Sequence, residues 1–323
     1  MRAAVVTAFG DPDVIEIEEV SAPSPAPGEV AIDVAYANVL WVETMIRRGH
    51  ARRHFDHEPP YIPGNGVAGR VAAVGEGADA AWLGQRVVAH TGGRGADAER
   101  AVVRSDVVVE VPDGIGLEEA SAVMHDGVTA LALIEATGVT GDSRVLVVGA
   151  SGGLGISLVQ LLRAARAHVV ASARGSKLAR VRELDASATV DSDSPDWVED
   201  ARAALGGEGA DVILDNIGGT VGGAALGAIA RGGRFSAHGT PSGSFAQLDR
   251  ALAEARDVAV IGIGGAQFAD AERVRLTHAV LGELAARRIS PVIGQTFPLE
   301  HVADAHAAIE GRKVFGKTLL RVA

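Results

Sequence analysis

The sequence predicts an α/β protein: a mostly-β first part, then a doubly wound parallel sheet that begins near residue 120. Three observations carry this. At 144–155, RVLVVGASGGLG sets a short apolar run before a glycine-rich turn and an apolar stretch of helical spacing. Further short strands at 167–173, 188–193, 210–215, 233–239 and 258–264 then alternate with helical segments, as parallel strands joined by crossovers do. Before residue 120, by contrast, the pattern has the two-residue period of strands and little helix.

In order along the chain, residues 1–20 set Val14, Ile15, Ile17 and Val20 among Glu16, Glu18 and Glu19, which reads as short antiparallel strands. The Pro-rich connection SAPSPAPGE (21–29) leads to a strand at 30–35. A helical pattern is expected over 38–50, ending at Gly49. PGNGVAGRVAAVGEGA (63–78) reads as a β-hairpin with GEG as its reversal. Strands follow in GQRVVAH and AERAVV, and a helix starts at the acidic pair Glu118 and Glu119. In the second part a helix is expected at 176–184, and Pro195 opens another as a first-turn proline. The final helix at 300–310 and extended segment at 317–322 are too little for a domain, and are expected to pack back on the first part.

A chain of 323 residues suits two domains. Forty-one acids against 30 Lys and Arg leave a net charge of −11, which argues against nucleic acid or an anionic membrane as a partner. No apolar run approaches the roughly 20 residues of a membrane helix, and the first residues lack a signal-peptide pattern. With no cysteine there is neither a disulfide framework nor a thiolate zinc site, which fits a reducing cytoplasm. The glycine turn is the first candidate site. Ala150, Gly152 and Gly155 fall on the positions of G-x-G-x-x-G, with Ala for the first Gly. Strand, turn and helix there aim the backbone of Ala150, Ser151, Gly152, Gly153 and Leu154 at a pyrophosphate.

With these pieces placed, the chain resembles the medium-chain dehydrogenase/reductase superfamily, in its zinc-independent, quinone oxidoreductase-like (zeta-crystallin-like) branch. The resemblance covers nearly the whole length. It is carried by PGNGVAGRVAAVGEGA, GVTALALIEATGVTGDSRVLVVGASGGLG, SARGSKLARVRELDA and FGKTLLRV. It implies a GroES-like, mostly-β catalytic domain at 1–119 and 267–323, a Rossmann NADP-binding domain at 120–266, and an active site in the cleft between them. It also implies hydride transfer from NADPH to a quinone, an enone or another activated alkene or carbonyl compound, by a cytoplasmic homodimer acting on a small apolar or aromatic molecule. The rival reading is an NADP(H)-binding protein without net redox turnover, a sensor or a cyclase-like enzyme.

Several positions depart from the family. Where zinc relatives place catalytic ligands this chain has Leu40, Asn65 and His125, and one imidazole does not make a site. The Tyr that assists catalysis in related reductases is Met45 here, and the usual Asp before it is Glu43. The resemblance brings Thr129 to the nicotinamide and lines that pocket with Asn216, His238 and Gly239. At the end of the second strand an NAD enzyme needs an acid for the ribose hydroxyls. Here Ser172 stands there, followed by Arg174 and Lys177, and no acid comes before Glu183, which favours NADPH. His125, with Asp126 beside it, is the candidate proton donor, and Glu43 is the fallback. Leu40, Trp41, Met45, Tyr61 and Phe268 are the expected substrate lining. His54 and His57, with Arg47, Arg48, Arg52 and Arg53, read as a solvated loop rather than a metal or anion patch.

Overall fold

The computed structural model describes residues 1–52 and 54–323; Arg53, named above with its neighbours, lies outside the described residues. The chain divides into two units: Met1–His125 with Arg273–Ala285 and Pro291–Ala323, and Asp126–Glu272 with Ala286–Ser290.

The first unit opens with β1 (Arg2–Val6) and β2 (Ile15–Glu19), an antiparallel pair. Next come β3 (Glu29–Val39), α1 (Trp41–Arg47), β4 (Gly66–Val74), β5 (Arg86–His90), β6 (Arg100–Arg104), β7 (Val108–Glu110) and α2 (Leu117–Val123). The expected helix at 38–50 loses its first two residues, Asn38 and Val39, to β3, and its third, Leu40, is the N-cap. Val39 pairs with Thr318 across the sheet, and Leu40 is still extended, so the helix starts only at Trp41. Gly49 ends it as expected, at φ +73°. Residues 63–78 are not a hairpin. Gly66–Val74 is one strand between β3 and β5, and Gly69 is part of that pairing rather than of a turn. A Cβ there would sit 2.2 Å from the Asp33 carbonyl oxygen, so glycine permits the close approach. Helix α2 packs on β3, β4 and β5, and the divide between units accordingly falls after His125 rather than near 119.

The second unit runs α3 (Asp126–Thr137), β8 (Arg144–Val148), α4 (Gly153–Ala164), β9 (His168–Ala173), α5 (Gly175–Arg182), β10 (Ala188–Asp191) and α6 (Trp197–Ala204). It continues with β11 (Ala210–Asp215), α7 (Gly219–Ala225), β12 (Ile229–Ala237), α8 (Arg250–Ala255) and β13 (Ala259–Ile261). All six strands are parallel, in the order β10-β9-β8-β11-β12-β13. Val145–Val148 of central β8 are fully buried, as a strand covered on both faces must be. The strand expected at 258–264 is only three residues long, because the chain turns at Gly262 into a 3-10 helix. Pro195 lies just before the N-cap, Asp196, and not inside the first turn of α6.

The last elements are α9 (Asp270–Ala285), β14 (Ile293–Pro298), α10 (Val302–Glu310) and β15 (Lys317–Arg321). β15 pairs with β3 and with β14, returning the C-terminus to the first unit's sheet, β14-β15-β3-β4-β5-β7 with β6 beside β3. No helix among the described residues is long and apolar enough to cross a membrane.

Candidate active site

At the end of β8 the chain turns through Gly149 (φ +79°). The N–H groups of Gly149 and Ala150 donate to the Ser172 carbonyl at 3.1 and 2.8 Å. A Cβ on Gly155 would lie 2.4 Å from the Gly149 oxygen, so α4 rests directly on the turn and only glycine fits. Gly152, the N-cap, is exposed, with nothing within 4 Å of where its Cβ would stand. No side chain caps this helix. Its first-turn N–H groups, those of Gly153 and Leu154 among them, have no acceptor one turn back and face the open side. A bare, open helix N-terminus after a buried parallel strand fits an anionic pyrophosphate.

The ribose end differs from expectation. Ser172 is fully buried and its hydroxyl has no hydrogen-bond partner among the described residues, so it does not reach the surface. Side chains alternate along a strand, and the residue that emerges is Arg174, the N-cap of α5 and 60% exposed. Its guanidinium lies 4.0 Å from Asp193. One turn into α5, half-buried Lys177 has its ammonium pushed down by burial and then by the charge of Arg174. Two cations crowded at a helix start are a binding geometry for a phosphate.

At the ends of β11 and β12 a hydrogen-bonded chain crosses the sheet. Asn216 Nδ2 donates to the Val148 carbonyl at 2.9 Å, and Asn216 Oδ1 faces His238 Nε2 at 2.9 Å. Ser236 Oγ faces His238 Nδ1 at 3.0 Å. An amide oxygen only accepts, so the His238 proton is on Nε2 and Ser236 donates to Nδ1. Burial pushes this imidazole down to about 4, which keeps it neutral. His238, expected to shield a nicotinamide, is instead a buried strut that sets Asn216. Gly239 packs beside it, where a Cβ would lie 2.0 Å from the Asn216 carbonyl carbon. Thr129 is buried in α3.

In the first unit, His125 follows α2 and is half-exposed. Asn65 Nδ2 donates to its Nδ1 at 3.3 Å, which leaves the ring proton on Nε2. His90 is nearby and is pushed down to about 3, first by burial, then by the charges of Arg273 and His125. Asp126 is buried where α3 begins. Glu43 is only 4% exposed and is not a donor at a pocket wall. It is the third residue of α1, and its Oε2 accepts the Leu40 N–H at 2.9 Å in a capping box. Burial, then the charge of Asp97, pushes its carboxyl well up. Asp97, which the sequence did not single out, is fully buried and pushed up to about 7 by desolvation. Lys317, also buried, opposes the rise at Glu43.

The expected substrate lining is largely core. Tyr61 is buried edge-on to His57, 5.3 Å between ring centres, and Met45 packs against the same apolar cluster. Leu40 is buried as well, whereas Trp41 is half-buried with Arg312 stacked 5.3 Å from its ring centre. Phe268 is half-buried in the second unit. The loop histidines divide. His54 is exposed, but His57 is 5% exposed and its Nε2 lies 3.1 Å from the Gly93 carbonyl, so it is packed rather than solvated. Arg47 and Arg48 pair with Glu310, and Arg52 pairs with Glu58. Among the described residues, no three His, Asp or Glu side chains gather to hold a metal ion. Leu40, Asn65 and His125 do not fit zinc.

A parallel sheet with a bare glycine-turn helix, joined to an antiparallel domain carrying a polar imidazole, defines a dinucleotide-dependent oxidoreductase. Comparison with known proteins bears this out. The family "Alcohol dehydrogenase GroES-like domain" matches residues 26–113 and "Zinc-binding dehydrogenase" matches 184–320. The "Probable quinone oxidoreductase" of Schizosaccharomyces pombe is 31% identical, over 98% of this chain and 95% of its own. The "2-haloacrylate reductase" of a Burkholderia species is 28% identical, over 99% and 98%. Among solved structures, an NAD-dependent alcohol dehydrogenase superposes over all of both chains with a TM-score of 0.91 at 29% identity. A mycobacterial protein complexed with NADPH does so with 0.90 at 27%. The chain belongs to the medium-chain dehydrogenase/reductase superfamily, in its quinone oxidoreductase-like branch.

Proposed function

We propose that this NADPH-dependent oxidoreductase works without zinc and reduces a quinone, an enone or another activated alkene or carbonyl compound. One observation carries the reading: at the positions that hold zinc in metal-bearing relatives, Asn65 donates to His125 and Leu40 offers no ligand. A polarising metal is replaced by an oriented imidazole. The names of the two relatives, a quinone oxidoreductase and a haloacrylate reductase, support an electron-poor double bond as the target. The turn at Gly152, Gly153 and Leu154 would hold the pyrophosphate, and Arg174 and Lys177 the 2′-phosphate. Bound there, NADPH supplies the hydride. The chain's own part is to stabilise the oxyanion left on the substrate and return a proton to it. His125 Nε2–H donates a hydrogen bond to that oxyanion; to give up a proton the ring first becomes imidazolium, with the Asn65 amide turned so that its Oδ1 accepts from Nδ1–H.

Oxidation of NADPH measured against a panel of quinones, enones and haloacrylates tests this. Turnover of at least one class is expected, and tight binding without turnover of any would favour a non-redox role. NADPH is expected to bind at least tenfold better than NADH, a difference of about 1.4 kcal/mol that two charged contacts readily supply. Fluorescence titration with each cofactor measures it, and equal affinities would refute the phosphate assignment of Arg174 and Lys177. Chelator-treated protein is expected to keep its fold and turnover, and a requirement for stoichiometric zinc would overturn the metal-free reading.

The assembly proposed is a homodimer. β13 is the edge of the parallel sheet, with its Val260 49% exposed and Ile263, in the 3-10 helix that follows, 40% exposed. An apolar edge strand is covered when it pairs with its twin across a two-fold axis. Light scattering at micromolar concentration is expected to give twice the 33.0 kDa chain mass.

A further inference from the structure

We propose, resting on the assignment of Arg174 and Lys177 to the 2′-phosphate, that Asp193 is a specificity-determining residue of the cofactor site. It is an acid set against Arg174 that opposes a 2′-phosphate and so limits the preference for NADPH over NADH. Along the chain no acid follows Ser172 until Glu183. The sheet supplies what the local sequence lacks. β10 lies parallel to β9 with Asp191 opposite Ala173, so the two strands end at the same level. The Ser192 N–H donates to the Ala173 carbonyl at 2.9 Å, which carries the pairing one residue past β10 and lays the turn 191–194 beside Arg174.

The two acids of that turn have different roles. Half-buried Asp191 belongs to the scaffold. Its Oδ1 accepts the Asp193 N–H at 3.0 Å, and its carbonyl accepts the Ser194 N–H, also at 3.0 Å. Its Oδ2 lies 2.4 Å from where a Cβ on Gly175 would stand, so this carboxylate packs against the first residue of α5. Asp193 is tied to the turn through its backbone, and its side chain is 61% exposed, with Oδ1 4.0 Å from Nε of Arg174. At that distance the two charges attract without a hydrogen bond, and the guanidinium keeps its donors for a ligand. A 2′-phosphate on Arg174 would share that guanidinium with the Asp193 carboxylate, and like charges gathered on one cation repel. A ribose 2′-hydroxyl carries no charge, and a carboxylate accepts a hydrogen bond from it readily. The acid therefore penalises NADPH and not NADH, against the pull of Arg174 and Lys177. The parent's preference is what remains after that opposition. Exposure bounds the effect, because a solvent-exposed charge pair is worth at most about fivefold in an equilibrium constant and is screened by salt.

The test is calorimetric titration with NADPH and with NADH, at low ionic strength, of the parent, Asp193→Asn, Asp193→Ser and Arg174→Gln. Asp193→Asn keeps the shape and removes the charge. It is expected to bind NADPH about fivefold more tightly than the parent and NADH within about twofold, with the gain shrinking as salt is added. Asp193→Ser, a second neutral variant that keeps the backbone N–H of the turn, is expected to shift the ratio in the same direction. Unchanged NADPH affinity in both neutral variants, or an equal gain for NADH, would overturn the proposal. Arg174→Gln separates it from the assignment beneath it. Loss of the NADPH preference in Arg174→Gln, with no change in the neutral variants at 193, would leave the phosphate assignment standing and make Asp193 an ordinary surface acid. An unchanged NADPH-to-NADH ratio in all three variants would sink the phosphate assignment as well.

Discussion

His125→Ala is expected to bind NADPH as the parent does and to lose at least a hundredfold in kcat. Hydride delivery to an electron-poor double bond leaves an enolate or phenolate that must be stabilised and protonated. Removal of a general acid costs on the order of a hundredfold or more. The Tyr of related reductases is absent at Met45. Glu43 is buried in the first turn of α1, and His238 is neutral and bonded at both ring nitrogens. His125 remains, half-exposed, with Asn65 directing its proton to Nε2. Cofactor affinity is expected to be untouched because Gly152, Arg174 and Lys177 belong to the other unit. Stopped-flow kinetics with a saturating quinone or enone measures the loss. Turnover at the parent rate would make solvent the proton source. His54→Ala, at an exposed position, is expected to leave activity unchanged. His57→Ala is a different case, because it opens a packed site beside Tyr61 and is expected to lower stability by about 1–3 kcal/mol.

The second large effect is on stability against pH, at Asp97. Burial raises this carboxyl to about 7 in the folded chain, against about 3.9 when unfolded. Between those values the folded state binds more protons than the unfolded one, so stability falls as pH rises through the window. The contribution is complete below about pH 4 and has gone above about pH 7, at up to ~1.4 kcal/mol per pH unit. Asp97→Asn cannot ionise and removes this group's share of the slope. It is expected to be about 2–4 kcal/mol more stable relative to the parent at pH 8 than at pH 4. Urea denaturation across that range measures the difference. Parallel pH curves for parent and variant would show that Asp97 is not the titrating group.

Much of the fold was legible locally. Five apolar residues followed by glycines gave β8 and the start of α4, and the strand–helix alternation gave a parallel sheet. Period two at 15–19 gave β2. The errors lie where pairing overrode pattern. Residues 38 and 39 look helical yet complete β3, because β15, far along the chain, pairs with both of them. The glycines of 63–78 suggested a turn, although Gly69 serves strand packing. β14 has no pattern of its own that marks a strand, since its ladder is supplied by β15.

In the site, residue types at fixed spacing named Gly152, Arg174 and Lys177, because turn chemistry and charge are local properties, while His125 and the lost metal ligands were named through the family resemblance. What spacing does not carry is solvent exposure and the identity of distant neighbours. Ser172 and Arg174 stand two apart, and only the end of β9 decides which of them reaches water. His238 looked like a pocket residue until Asn216 and Ser236 were brought to its two nitrogens. Glu43 looked like an available acid until Asp97 and Lys317 closed around it. The sequence alone thus determined the class of protein and its cofactor. Which acids are protonated, which histidine is oriented and which is locked were decided by the tertiary structure, since each depends on desolvation and on donors contributed by strands remote in the chain.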